Sequence, residues 1–229
     1  MTRAPNGRLP IVILISGRGT NMRAIAELAA NGTLPVEIRA VVSDKAEAAG
    51  LATAAEMKIP TRALSPREFA DRCSYDAALA ALIASFEPQL VVLAGFMRIL
   101  SPNFIAAFAD RILNIHPSLL PLYRGLHTHR RALEAGDRVH GASVHFVTEE
   151  LDGGPVVIQA RVAVNPGDSE NSLSARVQQQ EHRIYPQAIE WFARGRLQLR
   201  EHRAWFDGQP LATPLIDSVI DNVPATVSE

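Results

Sequence analysis

A single cysteine, Cys73, stands in a chain of 229 residues. No disulfide can close within the chain and no cysteine cluster can hold zinc, which fits a reducing cytoplasm. An excess of one charge is also missing, since 23 Lys and Arg face 24 Asp and Glu. That balance gives no basic surface for nucleic acid and no cationic face for a membrane. No apolar run approaches the roughly 18 residues of a membrane span. The opening residues MTRAPNGRLP lack the apolar stretch of a signal peptide. Repeats and low-complexity blocks are absent. What is present is an ordinary globular composition, 47% apolar and 21% charged, long enough to bury a full core.

Apolar strands and helical patterns alternate along the chain. Residues 10–16 (PIVILIS) form a continuous apolar run, the mark of a strand buried on both faces. A helical pattern from Met22 to about Ala30 follows, closed by Asn31-Gly32. Strands are expected at 36–42, 61–64, 89–94 and 112–116, and helices at 46–57, within 66–86 in two pieces, and at 102–109. This alternation predicts an α/β fold with a parallel, doubly wound sheet and right-handed crossovers. Beyond Pro121 the rhythm changes. A short helix at 127–135 and strands at 142–148 and 156–164 are expected, then a long helix from about 171 to 194 that Pro186 should kink, and a hairpin at 196–206. No linker divides the chain, so one domain is predicted, with its core at about 10–206. Residues 207–229 show only weak periodicity and read as a weakly structured tail whose residues 212–229 are dispensable for activity.

The chemistry concentrates in ILNIHPSLLP, residues 112–121. Asn114 and His116 interrupt an apolar strand at period two, so their side chains share a face. Pro117 ends the strand. An amide and an imidazole at a strand's carboxyl end lie where open α/β sheets bind ligands. A strand-end histidine satisfied by a backbone carbonyl is the competing reading. The first loop, Ser16-Gly17-Arg18-Gly19-Thr20-Asn21, is a glycine-rich turn from strand to helix, which presents free N–H groups to phosphate. Met22 stands where the dinucleotide fingerprint needs a third glycine, and no Walker pattern is present, so a mononucleotide or sugar phosphate fits better than NAD or ATP. Asp152-Gly153-Gly154 places a carboxylate on a permissive loop. Beside a histidine it would fix the tautomer; loop statistics alone favour a solvated aspartate. His127 and His129 share no helix face and have no third ligand nearby, which excludes a metal site there. His145 either lines a cleft or is exposed. Glu181 falls within the apolar stripe of the long helix, either at its edge or facing a polar cleft.

The segments SGRGTN, LAGFMRILSP, NIHPSLLP, GLHTHR, SVHFVTEELDGGPV and QQQEHRIYP, in this order over about residues 10–206, closely resemble the glycinamide ribonucleotide transformylase family. The resemblance implies a Rossmann-like formyltransferase fold, its mostly parallel sheet followed by a carboxyl-terminal portion of mixed strands and a long helix. It implies formyl transfer from 10-formyltetrahydrofolate to a glycinamide amine in purine synthesis, without a metal. Asn114, His116 and Asp152 match the family's catalytic trio. Gly19, Thr20 and Asn21 match its substrate-phosphate loop, and Glu181 a substrate contact. Arg72, Met97, Arg98, Ile99 and Leu100, with Asn114, match its folate-binding positions. The implied partners are small molecules, with a monomer or homodimer as the working unit. Arg124-Gly125 resembles methionyl-tRNA formyltransferase instead, a relative with the same trio and a further RNA-binding domain, for which the net charge and the short stretch after the hairpin give no support. A formyltetrahydrofolate deformylase would carry an amino-terminal regulatory domain, for which a first strand near residue 10 leaves no room. A non-enzymatic nucleotide-binding module would keep the phosphate loop and have no need of the Asn114 and His116 pairing.

Overall fold

The computed structural model describes residues 7–217. Its centre is an eight-stranded sheet of β1 (Leu9–Ile15), β2 (Val36–Ser43), β3 (Thr61–Ala63), β4 (Leu90–Leu93), β5 (Ile112–His116), β6 (Val139–Phe146), β7 (Val156–Ala163) and β11 (Leu215–Asp217). The spatial order is β11-β7-β6-β5-β4-β1-β2-β3. Pairings are parallel from β3 to β5 and between β7 and β11; β6 runs antiparallel to both its neighbours. A second sheet joins β8 (Leu197–Arg200), β9 (Arg203–Phe206) and β10 (Gln209–Pro210).

The apolar runs divide their side chains between two cores. Ile11, Ile13 and Ile15 of β1 face α1 (Thr20–Ala30) and α6 (Glu170–Ala193), in one cluster with Met22, Ile25, Val177 and Ile189. Val12 and Leu14 face the opposite way, toward α3 (Arg72–Ala84) and α4 (Pro102–Ala107), with Tyr75, Leu79, Ile83 and Phe104. Helices on both faces of a largely parallel sheet make the fold doubly wound. α6 continues through Pro186, and the neighbouring Tyr185 hydroxyl reaches the Leu93 and Leu113 carbonyls at 2.9 Å each, tying the helix to β4 and β5.

The crossover from β1 leads to β2 on one side, while β4 lies on the other. The crevice between β1 and β4 is therefore the topological switch point, where such sheets bind ligands. The loops after β1, β4 and β5 open there together. On β5, Ile112 belongs to the core facing α3 and α4, and Asn114 and His116 follow on the same face. Helix α4 is only six residues long. Polar side chains occupy this end of the strand, and the loop after β6 folds over them.

The tail departs from expectation. Residues 207–217 are ordered: β10 extends the hairpin and β11 pairs in parallel with β7 through Leu215–Ile158, Ile216–Gln159 and Asp217–Ala160. Asp217 also pairs with Arg183 of α6 at 3.3 Å. The Leu215–Asp217 strand lies among turn residues with no apolar run to mark it. Residues 218–229 lie outside the described residues. Truncation after Pro210 would uncover the edge of β7. We expect it to lower stability by about 1–3 kcal/mol, the scale of a few lost ladder bonds, as measured by urea unfolding. An unchanged midpoint would show that β11 contributes nothing.

Candidate active site

Asn114 and His116 project from the end of β5, opposite His145 and Ser143 of the antiparallel β6. Directly opposed residues of an antiparallel pair share a face. Asn114 Nδ2 donates to His145 Nε2 at 3.0 Å, and His145 Nδ1 donates to the Phe146 carbonyl at 2.9 Å. The pattern fixes the neutral tautomer of His145. Burial pushes its pKa down to about 4, so it remains an acceptor and turns the Asn114 amide in one direction. The sequence left His145 open between cleft and surface; it is 2% exposed. The signal that identifies it is the β5–β6 register, which the sequence alone does not contain.

His116 is buried, with Nδ1 3.4 Å from Asp152 Oδ2 and Nε2 3.0 Å from the Tyr123 carbonyl. Both ring nitrogens face groups that only accept, an arrangement that a doubly protonated ring satisfies at both ends. Asp152 arrives from the loop after β6, and its side chain is 10% exposed. The same Oδ2 accepts the Gly125 N–H at 2.9 Å, and Oδ1 lies 3.7 Å from His145 Nε2. The solvated aspartate that loop statistics favoured is thus a largely enclosed one between two histidines. A polar network pins the start of the intervening loop: Ser143 Oγ donates to the Ser118 carbonyl, and Gln159 Nε2 donates to the Leu120 carbonyl at 2.8 Å.

A cavity of about 370 Å³ reaches Ile115 and Pro117, the chain neighbours of His116, and is lined by Ser16 to Asn21, Ala94, Met97, His129, Gln178 and Glu181 among others. Helix α1 opens at its edge with Gly19 as its N-cap, in the left-handed region at φ 72° and with no side-chain cap, so the first-turn N–H groups are left for another acceptor. Gln178 Nε2 donates to Thr20 Oγ1 at 3.0 Å, and Asn21 Nδ2 donates to Glu181 Oε2 at 2.7 Å. Glu181 therefore faces the cleft. Burial raises its pKa, and the Asn21 bond partly opposes the rise. A Cβ on Gly19 would come within 2.9 Å of the Gly50 Cα, so this glycine also serves backbone packing. Substitution there would confound phosphate binding with folding.

A smaller space of about 90 Å³ on the other side of Asn114 is lined by Leu93, Phe96, Arg98, Ile99, Leu100, His145, Leu151 and Asp152 among others. Ile99 and Met97 are 55% and 64% exposed, an apolar surface at the cleft mouth. Met97 lines the larger cavity beside Gly19 rather than this one. Arg98 stacks over Tyr75 of α3 at 4.8 Å. Arg72 lines neither space; its Nε is 3.7 Å from Asp76, whose Oδ2 accepts the Ser101 N–H at 2.8 Å. A larger cavity, about 870 Å³, lies between α4 and the β8–β9 hairpin and contains none of the trio. Among the described residues, no group of three or more His, Cys, Asp or Glu side chains is placed to hold a metal ion. No helix among them is long and apolar enough to cross a membrane.

Residues 9–189 match the formyl transferase family. The chain is 56% identical to phosphoribosylglycinamide formyltransferase of Escherichia coli over 88% of its own length and 95% of the relative's. It is 47% identical to the Haemophilus influenzae enzyme of that name, with the same coverage. The solved phosphoribosylglycinamide formyltransferase of Coxiella burnetii superposes with a TM-score of 0.88 at 47% identity, covering 91% of this chain and 99% of the other. The chain belongs to the formyl transferase family, and within it to the phosphoribosylglycinamide formyltransferases.

His129 Nδ1 and His140 Nε2 meet at 3.1 Å beside the larger of the two cleft cavities. Burial lowers both pKa values, that of His140 to about 4. Because His140, His145 and His129 hold protons less tightly folded than unfolded, the unfolded chain gains protons first on acidification. Their contribution is complete above the unfolded value near 6.5 and is lost as pH falls toward about 4. We expect urea stability to drop by a few kcal/mol, in order of magnitude, between pH 7.5 and pH 4.5, and the drop to be smaller in His140→Gln. The same pH slope in that variant would exclude His140 as a source.

Proposed function

We propose that this single-domain enzyme transfers the formyl group of 10-formyltetrahydrofolate to the amine of glycinamide ribonucleotide, giving formylglycinamide ribonucleotide and tetrahydrofolate in de novo purine biosynthesis. The observation that carries the reading is the convergence of Asn114, His116 and Asp152, with one space lined by Asn114 and Asp152 and a second, polar one reaching Ile115 and Pro117 on either side of His116 in the chain. The polar space, with free N–H groups at the start of α1 and the Glu181 carboxylate, suits a ribonucleotide phosphate and the sugar or amine beyond it. The space beside Leu93, Phe96, Ile99 and Leu100 suits a flat folate ring, with Arg98 and the more distant Arg72 available to carboxylates of its tail. Met97 lines the polar space. The partners are small molecules, the compartment is the cytoplasm, and the working unit is a monomer or homodimer.

When the amine attacks the formyl carbon, negative charge develops on the formyl oxygen. Asn114, oriented by His145, and His116 supply donors where that charge appears; one such donor is worth roughly 2.7–4 kcal/mol. Asp152 holds His116 by Nδ1, which leaves Nε2 to exchange the Tyr123 carbonyl for the reacting groups. His116 delivers a proton to the departing folate nitrogen as its bond to carbon breaks, and the proton of the attacking amine returns through Asp152 and water. A formyl-transfer assay offering glycinamide ribonucleotide, methionyl-tRNA and water tests the assignment. Turnover with methionyl-tRNA, or hydrolysis alone, overturns it.

Asp152→Asn keeps the shape and removes the charge. We expect turnover to fall on the order of 10²–10⁴-fold with little change in the Michaelis constants. Adding His116→Ala should cost far less than the product of the single losses, because the two act as one unit; multiplicative losses would show that they act independently. Glu181→Gln should raise the Michaelis constant for the ribonucleotide about 10- to 100-fold, the scale of a lost charged hydrogen bond, with the folate constant unchanged. Equal loss for both substrates would place Glu181 outside the ribonucleotide site.

A further inference from the structure

Two loops meet over His116. Residues 117–127 supply the Tyr123 carbonyl to its Nε2 and the Gly125 N–H to Asp152. Residues 147–155 carry Asp152 itself. Both are held in demanding backbone conformations: Tyr123, His127 and Asp152 have φ of 54°, 59° and 48°. Such conformations persist only where neighbouring contacts hold them.

Besides the Gly125–Asp152 bond, an ion pair between Arg124 and Glu150 joins the two loops. Its two ends are braced. On one side Arg131 of α5 (Thr128–Glu134) donates to the Arg124 carbonyl at 2.7 Å and lies 5.2 Å over the Tyr123 ring, while the Tyr123 hydroxyl donates to Asp137 at 2.6 Å. On the other, the Glu150 side chain fills the space that a Cβ on Gly153 would need, and the Gly153 N–H donates to the Glu150 carbonyl at 3.1 Å. Glu150 is thus folded over the turn that presents Asp152, with its carboxylate turned to Arg124.

We propose that Arg124, through Glu150, is a positioning residue that holds Asp152 on His116. The proposal rests on the assignment of Asp152 above. Arg124 lines neither cleft cavity, Glu150 lines the smaller one, and the Arg124 charge adds to the burial that disfavours protonation of His145. The side chains are 38% and 64% exposed, and a solvent-facing pair of this kind shifts a population by about two- to fivefold.

The test is steady-state kinetics of Arg124→Ala, with Arg124→Lys as the charge-conserving variant and Arg124→Gln as a second neutral one should the alanine variant not fold. We expect the neutral variants to lose about two- to fivefold in kcat with the ribonucleotide KM unchanged, and lysine to restore most of the loss. In an Asp152→Asn background the same neutral change should have no further effect, because its route to the chemistry is gone. High salt should lower wild-type kcat toward the variant's and leave the variant unmoved. Full turnover in the neutral variants, an undiminished loss in the Asp152→Asn background, or a loss confined to KM would each overturn the proposal. If Asp152→Asn turns over normally, the assignment of Asp152 fails and this proposal with it. If Asp152→Asn collapses while Arg124→Gln is fully active, only this proposal fails.

Discussion

Asn114 and His116 are polar side chains on a strand whose remaining members are apolar and buried. A buried amide or imidazole without a partner is costly, so the surroundings of such a pair have to satisfy it. Here the partners come from every direction: His145 across the sheet, Tyr123 from the loop that follows, and Asp152 from the loop after β6. The short α4 helix matters for the same reason. A longer helix on that face would exclude both the loops and any ligand.

Four histidines near the cleft are differentiated by their partners. His145 and His140 are driven toward neutrality by burial, and His145 bonds Asn114 through its bare nitrogen. His129 meets His140 at the wall of the cavity beside Gly19. His116 has the Asp152 carboxylate 3.4 Å from one nitrogen and the Tyr123 carbonyl 3.0 Å from the other, closer to Asp152 than His145 is at 3.7 Å. Tautomers held by fixed neighbours keep donors aimed without reorganisation during the reaction, which is the condition for electrostatic stabilisation of developing charge.

The long helix α6 connects the two halves of the molecule. Its apolar stripe packs on the sheet through Leu173, Val177, Ile184 and Ile189. Its polar side brings Gln178 and Glu181 to Thr20 and Asn21, which lie about 160 residues earlier in the chain. Glu181 interrupts the stripe because at that turn the helix meets Asn21 at the start of α1 instead of apolar core. The capping box at Ser169 and Ser172 and the Tyr185 hydroxyl, placed between the Leu93 and Leu113 carbonyls, fix its position.

By itself the sequence determined the alternation of strands and helices, the glycine turn after β1, the shared facing of Asn114 and His116 and the strand stop at Pro117. These are local matters of period, turn chemistry and ring constraint, and they need no knowledge of distant contacts. The motifs carried the resemblance to the formyltransferases as an ordered set. The tertiary structure decided what depends on residues far apart in the chain. It brought Asp152 to His116, selected the cleft over the surface for His145, turned Glu181 to Asn21, joined Arg124 to Glu150 and paired Leu215–Asp217 with β7. A carboxylate on a glycine-rich loop has no periodicity to betray its target, and a cross-strand partner is defined only once the register exists. That is why the facing of the β5 pair was legible in the chain, while the third member of the trio and the histidine that orients its amide were not.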